Sequence, residues 1–286
     1  MKRTISMAAL SVSLASASWA QSPPPLAEEY TFETIDPPGS VDTFVRAINA
    51  RGDIVGRFLD ASQIPHGYLL SDGIYTTIDF PGAARTTASG INARGDIVGT
   101  HDGHSFLLIG GDFTSFDFPG AAGTGARAIN NAGDIVGFYS ETEDSPVRGF
   151  LLSGGRFFPI DFPGALRTAA NGINARGDIV GDYTDSDGVG HGFLLRGGTY
   201  TTIHVPGAIG LFATVAFGND NAGDVVGDYG VVDGGGGFLL RHGSFSTLHV
   251  PDSDFTRAFA INARRWIVGD YTAASVRHGF VATRDD

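Results

Sequence analysis

Ile48 to Gly56 reads INARGDIVG, and the same run recurs at Ile91 to Gly99 and at Ile173 to Gly181. Each copy contains Arg-Gly-Asp, a tripeptide known for adhesion to animal cell receptors. Two looser copies argue against that reading. Asn130-Asn131-Ala132-Gly133 and Asp220-Asn221-Ala222-Gly223 keep the leading Asn or Asp and the Gly, and drop the Arg. Asn suits the first position of a type I turn, where its side chain bonds back to the chain. Gly supplies the left-handed conformation that closes such a hairpin with a bulge. Arg-Gly-Asp is therefore expected to be a hairpin turn whose free position is filled by Arg. A sixth copy, Arg264-Arg265-Trp266, lacks the Gly. There, either Arg265 takes a positive φ or the turn differs.

Aligning the chain outward from these turns places Gly52, Gly95, Gly133, Gly177, Gly223 and Arg265 in register, at steps of 43, 38, 44, 46 and 42 residues. Each unit has four parts. A small-residue segment ends in Ile-Asn; then come Asp-Ile-Val-Gly with an extended tail, a Gly-Phe-Leu-Leu run, and a Thr-rich aromatic run such as IYTTIDFPGA from Ile74. Branched and aromatic runs bounded by Gly, Asn and Asp read as strands. No amphipathic helix is evident, so each unit is a four-stranded antiparallel meander. Units of this size and content predict an all-β, six-bladed β-propeller. The last unit stops after a third strand ending at Arg284, and a spare fourth strand, Tyr30 to Asp36, precedes the first. Pairing of the N-terminal strand in the last blade closes the ring and removes the open β edge.

The chain has 286 residues. Lys2 and Arg3, an apolar stretch from Ile5 to Leu14, and Ser18-Trp19-Ala20 read as a signal peptide at 1–20. Residues 21–29, with Pro23-Pro24-Pro25, read as a linker, and 30–286 as one propeller domain. The expected location is periplasmic or secreted. Cysteine is absent, which excludes disulfides and thiol catalysis, and Lys2 is the only lysine. Cleavage after Ala20 removes two cations and takes the net charge from −12 to −14. So acidic a surface makes nucleic acid and anionic membranes poor partners, and no later segment is long and apolar enough to insert in a membrane. A monomer is expected.

His66-Gly67-Tyr68, His104-Ser105-Phe106, His191-Gly192-Phe193 and His278-Gly279-Phe280 begin the third strands of four units. With the surrounding pattern, from about Tyr30 to Asp286, they resemble the HAF-type bacterial extracellular repeat family, named for a His-Ala-Phe tripeptide. Gly or Ser replaces the central Ala here, and Arg148 and Gly236 replace His in units three and five. The resemblance implies an exported bacterial protein and carries no catalytic motif.

Within one chain, whatever recurs in every blade serves the blade, and whatever departs is a candidate for function. Thr43, Thr86, Thr124, Thr168, Thr214 and Thr256 recur and are expected to tie the crossover loops to the first strands. Val45, Ala88, Ala126, Ala170, Ala216 and Ala258 are small, as crowding around the channel requires. The third-strand histidines are expected to make local hydrogen bonds that order loops. Asp36, Asp79, Asp117 and Asp161 end the fourth strands and give way to His204 and His249, with no partner visible in sequence. Asp182, Asp185 and Asp187 resemble part of a calcium loop without its bidentate Glu, so calcium is only a minor expectation and no cofactor or metal site is assigned. No nucleophile elbow, zinc motif or phosphate loop is present, and no catalytic residue is assigned.

The first strands carry the departures. One position reads Arg46, Ser89, Arg127, Asn171, Phe217, Phe259, and the position two earlier includes Arg257. Arg46, Arg127, Asn171, Phe217, Arg257 and Phe259 are therefore the candidate ligand-binding residues at the channel mouth, on the face of the variable loops. Guanidinium, amide and aromatic groups together suit an anionic or sugar-like ligand. The expectation is a non-catalytic binding protein whose partner is a carbohydrate, neutral or acidic, or an extracellular protein. The alternative is a hydrolase or lyase acting on an anionic saccharide or lactone.

Overall fold

The computed structural model describes residues 23–25, 30–232 and 234–284. The expected signal peptide and residues 21, 22 and 26–29 of the linker lie outside them. Every regular element among the described residues is a β-strand, in six four-stranded antiparallel sheets. Five blades are continuous in sequence, at 42–78, 86–116, 123–160, 167–203 and 214–248. The sixth combines 255–283 with Thr31–Ile35, whose residues pair antiparallel with the last strand from Thr31↔Thr283 to Ile35↔Gly279. The ring closes through the N-terminal strand as expected, with the strand one residue shorter at each end. Pro23 and Pro24 accept hydrogen bonds from Thr247, and Pro25 bridges it in parallel, so the proline run lies on the outer edge of blade five.

The hydrophobic core is divided into six clusters between blades. Val268 of blade six packs with Val45 and Tyr68 of blade one, and Val98 of blade two with Ala126 and Phe150 of blade three. The small first-strand residues thus face the preceding blade rather than the channel. They are small because that blade's valine and their own blade's third-strand aromatic close over them. Tyr68, Phe106, Phe150, Phe193, Phe238 and Phe280 are fully buried. Each meets an aromatic of its fourth strand, as in the edge contacts of Phe106 with Phe113 at 5.3 Å and Phe280 with Phe32 at 5.7 Å. Burying a ring of this size stabilises by about 1.5–3 kcal/mol.

The opening turns are hairpins. Gly52 N–H donates to the Asn49 carbonyl, and Asn49 Oδ1 accepts from the N–H groups of Arg51, Gly52 and Asp53. Gly52 takes φ 103°, and Arg265 occupies the same place at φ 62° with the same Asn262 cap. The sixth turn is therefore the same turn with a strained residue. The Arg-Gly-Asp reading closes here. Asp53 is buried, and Arg51 itself donates to it at 2.6 and 2.9 Å. Burial pushes the Asp53 carboxyl up, but hydrogen bonds from Ser71, Asn49 and Arg51 hold it below its ordinary value. A receptor would find Arg51 and Arg94 paired with Asp53 and Asp96, and Asp178 of the third copy paired with Arg196.

Asn49 also reaches sideways. Its Nδ2 donates to the Asn92 carbonyl of the next blade at 3.1 Å. Asn92, Asn130 and Asn174 repeat the link at 3.3, 3.4 and 2.9 Å, and Asn262 closes it onto Asn49 at 3.0 Å. Asp220 stands at this place in blade five, and its side chain has no N–H to give.

The threonines behave as expected in five blades. Thr86, Thr124, Thr168, Thr214 and Thr256 accept from crossover backbone N–H groups at 2.9–3.0 Å. In blade one the corresponding residue is Pro37, which lacks the N–H, and Thr43 bonds Ser40 instead.

Candidate ligand site at the channel mouth

Each first strand carries a β-bulge, and the extra residue is Arg46, Ser89, Arg127, Asn171, Phe217 or Phe259 in blades one to six. A bulge re-aims its side chain. Here it turns that side chain to the axis, where these residues form a ring around the channel. Glycine on the facing strand makes the bulge possible. A Cβ on Gly56 would lie 2.1 Å from the Phe44 carbonyl oxygen and 2.9 Å from the Tyr68 ring. Next to this ring the channel is lined by Ile48, Ile91, Ile129, Ile173, Asn219 and Ile261.

Above it, on the face of the crossovers and the variable loops, blades three to six enclose a cavity of ≈ 540 Å³. Phe138, Phe212, Phe217 and Phe255 supply its aromatic surface, and Arg127, Arg167, Asn171, Asp182, Asp228 and Arg257 its polar groups. Phe212 comes from the crossover between blades four and five, which is three residues longer than the others. Asn171 Nδ2 donates to Asp182 Oδ1 at 2.9 Å and to the Ala216 carbonyl at 3.1 Å. Arg167 also binds Asp182, and Arg257 Nε donates to Asp270 at 2.9 Å. Arg127 differs. Its guanidinium lies 4.9 Å from the Phe138 centroid, and its buried Nε has no acceptor among the described residues. Burial lowers its pKa, against the pull of Asp182.

Four of the six residues singled out from sequence, Arg127, Asn171, Phe217 and Arg257, share this cavity. Arg46 and Phe259 sit in the channel ring beside it, with the Arg46 guanidinium 4.6 Å from the Phe259 centroid and Phe259 4.7 Å from Phe217. Another ring was missed. The residue after each Ile-Val-Gly or Val-Val-Gly pairs across from the first strand at the mouth and reads Arg57, Thr100, Phe138, Asp182, Asp228, Asp270. Comparing second strands as well as first strands would have found it. Asp228 is the most perturbed member. Burial raises its carboxyl to about 7, Arg257 opposing and Asp270 and Asp182 adding to the rise. It has no hydrogen bond or ion pair among the described residues.

The outer histidines pair within their blades. His66, His104 and His278 Nδ1 lie 3.0, 2.8 and 2.7 Å from Asp79, Asp117 and Asp36, and Arg148 replaces His against Asp161 at 3.1 Å. His204, which had no visible partner in sequence, has one: its Nδ1 lies 3.1 Å from His191 Nδ1. The swap of Asp for His had hidden the pairing. The calcium-like run divides. Asp182 faces the cavity, while Asp185 accepts from the N–H groups of Asp187 and Val189 and contacts His191 at 2.9 Å. Among the described residues no three acidic or His side chains are grouped to hold a metal ion.

No family model matches the chain, and no curated protein matches it. Solved structures do. A gluconolactonase from Xanthomonas campestris is similar at 11% identity and TM-score 0.52, over 94% of this chain and 99% of its own. A fucose-specific lectin from Aleuria aurantia is similar at 10% identity and TM-score 0.51, over 85% and 96%. The propeller domain of the trilobed protease from Pyrococcus furiosus is similar at 11% identity and TM-score 0.52, over 84% and 81%. An enzyme, a lectin and a protease domain share this architecture, and at such identities the likeness is one of fold: the chain is a six-bladed β-propeller.

Proposed function

We propose that this is an exported binding protein that takes a small sugar-like ligand, neutral or acidic, into the mouth cavity. The observation that carries the reading is Arg127, whose buried Nε has no acceptor among the described residues, in a cavity that also holds four aromatic rings. Small-ligand sites have this size and this mixture of apolar wall and few polar groups. Phe212, Phe217 and Phe255 offer faces for a pyranose ring, and Arg127 offers N–H donors to a hydroxyl or carboxylate. Several titratable and polar neighbours, Asp182, Asp270, Arg167 and Arg257, are already satisfied by one another, which leaves Arg127 and Asp228 for the ligand. The chain from Gln21 is to be screened by thermal shift against neutral and acidic oligosaccharides and lactones. A ligand of the folded state raises stability by about 2.7 kcal/mol at a hundred times its Kd. The shift is expected to vanish in Arg127→Ala and to fall in Phe217→Ala. A flat panel overturns the reading and points to a protein partner.

Asp228 favours a second reading, a hydrolase or lyase acting on an anionic saccharide or lactone. A carboxyl that titrates near neutrality inside a cavity is poised to give or take a proton. Arg127 would hold the anionic group. Turnover with a pH limb near 7, abolished in Asp228→Asn while ligand binding persists, supports this reading. Binding without turnover across the panel removes it.

A further inference from the structure

Beside the cavity, blade one meets blade six at the mouth. There three guanidiniums gather on one buried ring. Those of Arg57, Arg277 and Arg46 lie 4.1, 4.5 and 5.6 Å from the Phe44 centroid. All three side chains are half-buried rather than sealed. None has an ion pair among the described residues, and the Nε atoms of Arg57 and Arg277 are buried without an acceptor. The carboxylates nearby are engaged elsewhere. Asp270 accepts from Arg257, and Asp42 accepts the backbone N–H of Arg277 at 2.9 Å. Burial and repulsion from neighbouring arginines depress the pKa values of Arg46 and Arg57; Arg46 falls to about 9 through burial, Asp270 opposing and Arg127, Arg57 and Arg257 adding.

Packing alone does not account for the cluster. A ring offers two faces, and each cation–π contact contributes about 0.5–2 kcal/mol. Three like charges on one ring repel, and buried N–H groups without acceptors cost more. Three cations against Asp42 leave a local excess of two positive charges inside a chain of net −12. We propose that Arg46, Arg57 and Arg277 form a site for a doubly charged oxyanion, a sulfate or phosphate group either free or carried as a saccharide ester. Guanidinium N–H groups match such tetrahedral oxygens, and the dianion neutralises the excess. The site is separate from the aromatic cavity and stands without it.

The test is calorimetric titration of the chain from Gln21 with sodium sulfate, with sodium phosphate, and with a sulfated and an unsulfated oligosaccharide of the same backbone, at constant ionic strength. Thermal melts accompany it, because sulfate stabilises any folded protein by exclusion, without saturation. The expected result is a saturable heat and a saturable rise in Tm. Arg57→Gln and Arg277→Gln, which remove the charge and keep a polar side chain, each weaken the apparent affinity about tenfold. Arg85→Ala, at an exposed arginine paired with Asp102, leaves it unchanged. Saturation by inorganic sulfate or phosphate identifies a free-ion site. Binding of the sulfated oligosaccharide alone identifies an ester site. Unsaturable curves that coincide in the wild type and both Gln variants overturn the proposal. Arg127→Ala is expected to keep the oxyanion response, so failure of this site and failure of the cavity reading are distinguishable.

Discussion

The sixth hairpin shows what one residue costs. Arg265 carries φ 62°, where the other five turns use glycine. An L side chain there clashes with its own backbone, at about 1–2 kcal/mol. Arg265→Gly removes that clash and gives back part of the gain to the freer unfolded chain. Its guanidinium sits 4.0 Å from the buried Asp224, which Arg241 already binds at 2.8 Å, so this long pair adds little. A net stabilisation of about 0.5–1 kcal/mol is expected in denaturant unfolding; a loss of stability would show that the Arg265 side chain holds more than its turn. Asp220 is the second exception. It is buried in the ring of Asn side chains, and burial, with Asp224 adding, raises its pKa. Asn at this place can donate to the Asn262 carbonyl and complete the ring. Because the folded state holds the Asp220 proton more tightly than the unfolded chain, wild-type stability falls as pH rises through that raised value. Asp220→Asn is expected to stabilise by about 1 kcal/mol at pH 8 and by less at pH 3. Equal gains at both would mean that charge has no part in it.

At the scale of the strand, the N-terminal segment contributes one outer strand and little else to closure. Removing 23–36 deletes the partner of the last strand, exposes the buried Ile35 and the Phe32–Phe280 contact, and leaves His278 without Asp36. A loss of about 3 kcal/mol or more is expected. The ring should stay closed on its inner side, since Asn262 still reaches Asn49 and Arg277 still reaches Asp42. A truncated chain with an unchanged Tm would refute the strand's role. Strands and closure were legible in the sequence because they repeat: six turns, six threonines and a fourth strand out of order fix a ring. The bulge was not. It inserts Arg46 and its counterparts without changing any residue type, so the alternation of small and large positions looks regular through it. The same blindness hid the mouth position after Ile-Val-Gly, where Asp182 looked like part of an acidic loop until the register placed it opposite Ala169.

At the scale of the whole molecule, the blades are equal in scaffold and unequal in charge. Blades four to six place Asp182, Asp228 and Asp270 at the mouth, while blades one and six place Arg46, Arg57 and Arg277 there. Asp182 and Asp270 are paired with arginines, so their charge is compensated. Asp228 is not, and its titration is a property of the fold. An Asp in the unfolded chain loses its proton near pH 4. In the folded state the Asp228 proton stays to about pH 7. Between those values the folded state binds more protons than the unfolded one, so stability falls as pH rises through the window and the full penalty is present above pH 7. Other carboxylates of this acidic chain impose their own pH dependence, and Asp228→Asn isolates the contribution of this one. Below pH 4 the variant and the wild type carry the same charge here and are expected to melt alike. Their difference should open between pH 4 and 7 and level off above it, the variant being more stable by up to about 4 kcal/mol at pH 8. Parallel melting profiles across the whole range would mean that Asp228 ionises normally, through water in the cavity or an arginine swung toward it. The proton-transfer reading of the mouth would then lose its one supporting observation.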